Sequence, residues 1–170
     1  MEIVHDIIKS IEKIQKPHIF DKFRQILSKS KKLSKKDSID LANICKTRNL
    51  FDILNLELTV KESRIIANIL KSIKIRNIED VIYILCTKND VNTPVLLSSI
   101  LSRKFNVDIT PVINYLKNIL KGDIKLNYLH LLKVIDKNYP TFIDEDILNF
   151  CKNNGHDICK SILNLDMEIC

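Results

Sequence analysis

Residues 59–70 read TVKESRIIANIL and contain the clearest indication of the fold class. Its aliphatic side chains, such as Ile66 and Ile69, recur at the three-and-four spacing that brings them to one face of a helix. Thr59, followed three residues later by Glu62, forms a capping box, because the hydroxyl and the carboxylate can each satisfy a free amide at a helix start. The stretch therefore predicts an amphipathic α-helix that begins directly after Thr59.

The same periodicity extends over the rest of the chain, and no stretch shows the strict alternation that is typical of a strand. Helix starts are marked by polar capping residues or by a proline in the first turn: Asn77 with Asp80, Thr93–Pro94, Thr110–Pro111 and Thr141 with Asp144. With one more start near residue 123, the starts follow one another about every 17 residues. A two-helix hairpin then takes about 34 residues, a length typical of helical repeats.

These signals predict an all-α protein of about ten short amphipathic helices, arranged as antiparallel hairpins stacked in an α-solenoid-like single domain over residues 1–170. Residues 1–48 are expected to form basic N-terminal helices, and residues 49–170 the regular hairpins. At the N-terminal end, residues 2–15 and 18–28 are predicted to form two helices that are separated at Pro17, and residues 35–57 are predicted to form one or two more.

The composition excludes several classes of protein. Only two glycines, Gly122 and Gly155, occur in the chain, so a dinucleotide fingerprint or a P-loop has no residues from which to be built. The longest apolar runs are too short for a transmembrane helix. Residues 1–20 mix charged with aliphatic side chains, which is untypical of a signal or transit peptide, so we expect an intracellular protein. We therefore expect no cofactor, no membrane contact and no small-molecule substrate.

Charge is distributed unevenly along the chain. Residues 1–48 hold 12 lysines and arginines against 6 acidic residues, whereas residues 49–170 hold 15 of each. The densest basic run contains five lysines in eight positions: Lys29, Lys31, Lys32, Lys35 and Lys36. This run is expected either to contact RNA phosphates or act as a nuclear-import signal, or else to be only a solvated loop between helices.

Neither a metal site nor an active site is predicted. Cys151, His156, Cys159 and Cys170 could be written as a zinc set, but they lack the closely paired cysteines of structural zinc sites. The remaining histidines are scattered, and no glycine-rich oxyanion loop accompanies a nucleophile. The sequence therefore predicts a protein that is not an enzyme.

Residues 43–135 resemble the C-terminal helical domain of WD-repeat subunits of the small-subunit processome, which builds the small ribosomal subunit. The matching segments are the leucine-rich residues 51–58, the capped helix of residues 59–70, the helix of residues 78–85 and the leucine-rich residues 93–105. The resemblance implies a helical docking domain that joins processome subunits and has no catalytic role. The WD-repeat propellers that precede this domain in the family are not found in this chain.

Together these features predict a non-catalytic scaffold in small-subunit ribosome biogenesis and rRNA processing, located in the nucleus or nucleolus rather than the cytoplasm. Its partners are expected to be protein subunits that bind apolar helix faces, with possible RNA contact through the basic N-terminal third. The alternative is a compact helical adaptor or viral-type inhibitor that binds an amphipathic partner helix in a groove. Such a bundle requires one central helix that is apolar on all sides, and residues 95–101 come closest to it.

Overall fold

The computed structural model describes residues 25, 39, 41–43, 50–54, 57–88 and 90–165, and within them it contains helices and no strand. The chain divides into two compact units, Met1–Leu56 and Glu57–Cys170. The all-α prediction is confirmed, whereas the prediction of one domain stays a prediction. The longest described helix has 13 residues, and no helix in this part of the chain is long and apolar enough to cross a membrane.

The described residues contain eight α-helices and one short 3-10 helix. The first unit contains α1 (Leu50–Leu54). The second unit contains α2 (Val60–Leu70), α3 (Ile78–Lys88), α4 (Thr93–Leu101), α5 (Thr110–Ile119), α6 (Leu126–Asn138), the 3-10 helix (Pro140–Phe142), α7 (Glu145–Asn153) and α8 (Asp157–Leu165). The count is eight where about ten were predicted. The predicted helices over residues 2–15 and 18–28 lie outside the described residues, apart from the helical Gln25.

The predicted capping box at the start of α2 is confirmed. The Glu62 backbone amide donates to the Thr59 hydroxyl over 3.3 Å, and the Thr59 amide donates to the Glu62 carboxylate over 2.8 Å. Prolines also occupy the first turns of α4 and α5, as predicted. A local signal therefore marks the start of each of these three helices: a capping box in α2 and a proline in the first turn of α4 and α5.

The predicted helix start at Thr141 is wrong. Residues Pro140–Phe142 form a 3-10 turn, and α7 begins only at Glu145. Asp144 is its N-cap, with the carboxylate accepting from the Ile147 amide over 3.3 Å. The carboxylate outcompetes the threonine hydroxyl here because the 3-10 turn already uses the backbone around Thr141.

Helices α2, α4 and α6 pack side by side in the second unit, α4 in the middle, and we call them the helix row. The Asn92 side chain, at the start of α4, donates to the Leu58 carbonyl just before α2 over 2.8 Å. At the other end, Arg103 donates to the Leu70 carbonyl at the end of α2, and Asn138 donates to the Leu101 carbonyl at the end of α4. The starts of neighbouring helices therefore lie side by side, as do their ends, so the three helices run parallel to one another.

The middle helix of the row is the most buried. Seven of the nine residues of α4 are buried, and the helix packs against α2, α3 and α6. Helix α3 also packs against α5, and α8 packs against α6 and α7. The core of the second unit is therefore centred on α4, the segment that came closest to an all-apolar helix in the sequence.

Candidate functional site

The five lysines of the basic run, Lys29, Lys31, Lys32, Lys35 and Lys36, lie outside the described residues. Their predicted contact with RNA stays a prediction. The surfaces that the structure does describe belong to the second unit. Two of them are the opposite edges of the helix row, and a third is a cleft beside α5.

The first surface, which we call the start edge, lies where α2, α4 and α6 begin. Three large apolar side chains are exposed there: Val60 at 49%, Val91 at 46% and Leu126 at 55%. The hydrogen bond from Asn92 to the Leu58 carbonyl holds the first two segments side by side. Most apolar side chains of the unit are buried, so exposed ones gathered at one edge are a candidate protein-docking surface.

Asn92 is itself buried, with 6% of its surface exposed. Its amide nitrogen bonds the Leu58 carbonyl, while its amide oxygen has no hydrogen-bond partner among the described residues. Burying a polar side chain costs free energy. The single side-chain hydrogen bond of Asn92 offsets this cost only in part. Asn92 therefore sets the position of α4 against α2 at the start edge.

The second surface, the end edge, consists of the two loops that follow α2 and α4, residues 71–77 and 102–109. Arg103 joins these loops, because one of its guanidinium nitrogens donates to the Leu70 carbonyl over 3.0 Å and to the Ile73 carbonyl over 2.6 Å. The guanidinium also lies 4.7 Å from the centre of the Phe105 ring. The cation thereby caps the end of α2 at the Leu70 carbonyl, which has no partner inside the helix, and holds the following loop through the Ile73 carbonyl.

The end edge is rich in positive charge. The two loops hold five cationic residues and one carboxylate, with the cations at Lys71, Lys74, Arg76, Arg103 and Lys104. Sequence reasoning missed this surface, because residues 49–170 as a whole carry no net charge. One feature of the sequence could have indicated this surface: cationic residues follow directly after both α2 and α4, whose starts lie one hairpin length apart.

A cleft of about 340 Å³ lies beside α5 and α7. It is lined by three apolar and three charged residues: Leu120, Ile147, Phe150, Lys117, Lys121 and Asp146. This mixture of an apolar lining with a few charges is typical of a groove for an amphipathic segment.

Lys117 joins α5 to the start of α7 through two ion pairs, one with Asp144 and one with Asp146 at 2.8 Å. The hydrogen bond from Lys117 to Asp144 is the largest cause that raises the pKa of Lys117. Partial burial of Asp144 opposes its charge, but Lys117 and the Ile147 amide outweigh this effect and lower the pKa of the carboxyl. The pairs are solvent-exposed, so they orient α7 more than they stabilise it.

Two residues of the possible zinc set, Cys151 and Cys159, are buried and hydrogen-bonded to each other between α7 and α8. Burial raises the pKa of the Cys151 thiol to about 12 and also raises that of Cys159. His156 is a helix cap, with Nδ1 accepting from the Ile158 amide over 3.1 Å. Cys170 lies outside the described residues, within which no three potential ligands come together.

Comparison of the chain with protein-family models, with curated proteins and with solved structures gives no match.

Proposed function

We propose that the protein is a non-catalytic docking module whose second unit is a short helical solenoid that binds a protein partner at the start edge. One observation carries this proposal: side-chain hydrogen bonds join neighbouring segments of the row over 30 to 37 residues, which is about one hairpin length. The bond from Asn92 to Leu58 spans 34 residues, and the bond from the Tyr139 hydroxyl to Phe105 also spans 34. A regular offset between neighbours is typical of repeat proteins, which use extended surfaces for binding.

The start edge supports the choice of a protein partner. Val60, Val91 and Leu126 lie on three different segments, yet the parallel row brings all three to one side. Exposed apolar anchors surrounded by polar residues are the features that carry binding energy at protein interfaces. The partner is therefore proposed to contribute an apolar face of its own.

The cellular part of the proposal is small-subunit ribosome assembly in the nucleolus, with rRNA contact through the lysine run at residues 29–36. It is supported by the resemblance of residues 43–135 to the processome-type helical domain and by the excess of 12 basic over 6 acidic residues in residues 1–48. Such a scaffold needs apolar faces for its neighbours and positive charge for RNA, and the chain offers both.

Affinity purification of the tagged full chain from its own cells tests this proposal. We expect mass spectrometry to recover processome subunits and sequencing to recover pre-ribosomal RNA. A triple variant, Val60→Thr, Val91→Thr and Leu126→Gln, is expected to lose the protein partners, whereas Tyr83→Gln is not. Tyr83 is the matched control, because its side chain is 63% exposed but belongs to α3, which is not one of the three helices of the row.

The second candidate function is an adaptor that binds an amphipathic partner helix in a groove. The cleft beside α5 and α7 favours it, as does the burial of seven of the nine residues of the central helix α4. This adaptor predicts recovery of one helical partner and no RNA. It also predicts that Lys121→Glu, at the cleft, weakens binding while the start-edge triple variant does not, and this result would contradict the docking-module proposal.

A further inference from the structure

The end edge presents free cationic side chains from two loops that are far apart in sequence. Lys71, Lys74, Arg76 and Lys104 are all exposed, and none has an ion-pair partner in the part of the chain that the structure describes. Arg103 holds the loops together through its two bonds to carbonyls of the first loop and its flanking residues. The four free cations therefore belong to one surface, and the fifth cation, Arg103, fixes the geometry of that surface.

The carboxylates of the two loops and of the first turn of α3, all among the residues that the structure describes, form no ion pair with these cations. Asp108 is the only acidic residue in the two loops, and its Oδ1 accepts from both the Thr110 amide and the Thr110 hydroxyl, at 2.9 and 2.6 Å. Glu79 and Asp80 follow in the first turn of α3, where acidic side chains complement the helix dipole. The acidic groups thus belong to helix starts, and the cations of the loops stay unpaired.

The backbone conformation of Lys104 is a second, independent observation that points to a role for its side chain. Its backbone has a φ of 52°, a left-handed conformation that is unfavourable for a residue with a Cβ atom. Glycine is the usual residue at such a position after a helix. A lysine retained in a strained backbone, beside three other free cations, indicates a role for the charge.

The character of the end edge favours a polyanion over a protein surface. Among the described residues, the large exposed apolar side chains are Ile39, Val60, Tyr83, Val91 and Leu126, and none lies on these two loops. Protein interfaces depend on buried apolar anchors, whereas binding to a phosphate backbone depends mainly on charge. A surface with unpaired lysines and without apolar anchors fits the second case.

We infer that the end edge binds the phosphate backbone of a nucleic acid through Lys71, Lys74, Arg76 and Lys104. This surface is distinct from the lysine run at residues 29–36, and the choice of RNA over DNA as its ligand rests on the proposed function. Lys137, exposed in the last turn of α6 next to Asn138, extends the positive surface towards the third helix of the row. No base-reading contact is involved, so binding is expected to be insensitive to sequence.

The test measures binding of the full chain to a labelled single-stranded RNA of about 20 nucleotides by fluorescence anisotropy, over a range of salt concentrations. The end-edge variant changes Lys71, Lys74, Arg76 and Lys104 to Gln. Affinity at low salt is expected to fall at least roughly tenfold, and the slope of log K against log salt to decrease by about 3, at about 0.7 for each lost phosphate contact. The same measurement with single-stranded DNA distinguishes the two sources of a phosphate backbone, and comparable binding would show that the surface reads the backbone alone.

A matched control removes three lysines and one arginine from other exposed positions: Lys61, Arg64, Lys125 and Lys133, each changed to Gln. This control is expected to keep most of the affinity and of the salt slope, and circular dichroism should show that both variants keep their helices. The inference is overturned if both variants lose affinity equally, if the end-edge variant binds as the wild type does, or if the wild type does not bind. It is also overturned if polyglutamate displaces RNA as effectively as unlabelled RNA does, because the ligand would then be an acidic protein.

A third variant separates this inference from the proposed function. It changes Lys29, Lys31, Lys32, Lys35 and Lys36 to Gln and leaves the end edge intact. Complete loss of salt-sensitive RNA binding in this variant, with no loss in the end-edge variant, would overturn the inference and leave the proposed function standing. Partial loss in each variant is the expected result, with each surface contributing its own share of the salt slope.

Discussion

The two edges of the helix row differ in charge and in apolar exposure although they lie at opposite ends of the same parallel row. The segments leading into the start edge, residues 57–59, 90–92 and 120–125, hold three carboxylates and two cations, and Val91 in one of them is exposed. The loops of the end edge, residues 71–77 and 102–109, hold five cations and one carboxylate. A chain segment without net charge can therefore still form a charged surface, because parallel helices bring all their N-terminal ends to one side and all their C-terminal ends to the other.

Helix electrostatics explains part of this separation. The start of a helix carries partial positive charge and favours acidic neighbours, whereas the end favours cations. One cation near each helix end would satisfy this preference. The end edge holds more cations than this preference accounts for. Besides the capping guanidinium of Arg103, it has free lysines and a second arginine. One of these lysines also has a strained backbone conformation.

The largest effect is expected from breaking the link at the end edge. Arg103→Met removes two charge-assisted hydrogen bonds to carbonyls at the end of α2 and leaves those carbonyls without their partner. We expect the free energy of unfolding to fall by about 3 kcal/mol, measured by urea denaturation. Arg64→Met, at an exposed position within α2, is the control and should change it by less than about 0.5 kcal/mol. Equal losses in the two variants would show that Arg103 does not join the loops.

The corresponding link at the start edge is expected to contribute less. Asn92→Ala removes one neutral hydrogen bond and leaves the Leu58 carbonyl unpaired. The expected loss is about 1–2 kcal/mol, because a neutral bond is weaker than a charge-assisted one and the Asn92 oxygen has no described partner to lose. The measurement is again urea denaturation. A loss larger than that of Arg103→Met would reverse the proposed ranking of the two edges.

A smaller effect, of opposite sign, is expected at Lys104. Lys104→Gly removes the cost of a left-handed backbone at φ 52° and should stabilise the protein by up to about 1 kcal/mol, while weakening RNA binding. Lys104→Ala removes the same charge but keeps the strain, so it should weaken RNA binding without any gain in stability. Thermal unfolding and anisotropy titrations on the same samples check both effects. If Lys104→Gly were neither more stable nor weaker in binding, the strain would have no functional meaning.

The smallest expected effect lies outside the row, at Lys117. The pKa of Asp144 is below its ordinary 3.8, so its contribution to stability is present above that value and is lost as the pH falls through the lower folded value. The pKa of Lys117 is above its ordinary 10.5, so its contribution is present below that value and is lost as the pH rises through the higher folded value. The difference in stability between the wild type and Lys117→Gln should therefore be small and constant near neutral pH and should vanish in acid. A difference that grew in acid would contradict this assignment.

The sequence predicted the helix starts best where capping chemistry is local. Thr59 with Glu62 and the prolines Pro94 and Pro111 fixed the beginnings of α2, α4 and α5, because these signals act within one helical turn. The start at Thr141 was wrong, because the 3-10 turn and the competing carboxylate of Asp144 decide that region together.

The candidate surfaces were less predictable, since they depend on which helices become neighbours. Asn92 and Arg103 gave no sign in the sequence of bonding carbonyls 30 to 34 residues away. The grouping of Lys104 with Lys71, Lys74 and Arg76 is established by the contacts of Arg103. Patterns of apolar spacing determine which face of a helix is buried, but they do not determine the order in which helices pack.

One purification with three forms of the chain can show whether the start edge binds protein while the end edge binds nucleic acid. The wild type, the start-edge variant and the end-edge variant are purified in parallel from cells, and the bound proteins and bound RNA are quantified in each. We predict that the start-edge variant loses protein partners and keeps RNA, and that the end-edge variant keeps protein partners and loses a large share of the RNA. Loss of both ligands in one variant, or of neither in both, would contradict the division of roles between the two edges.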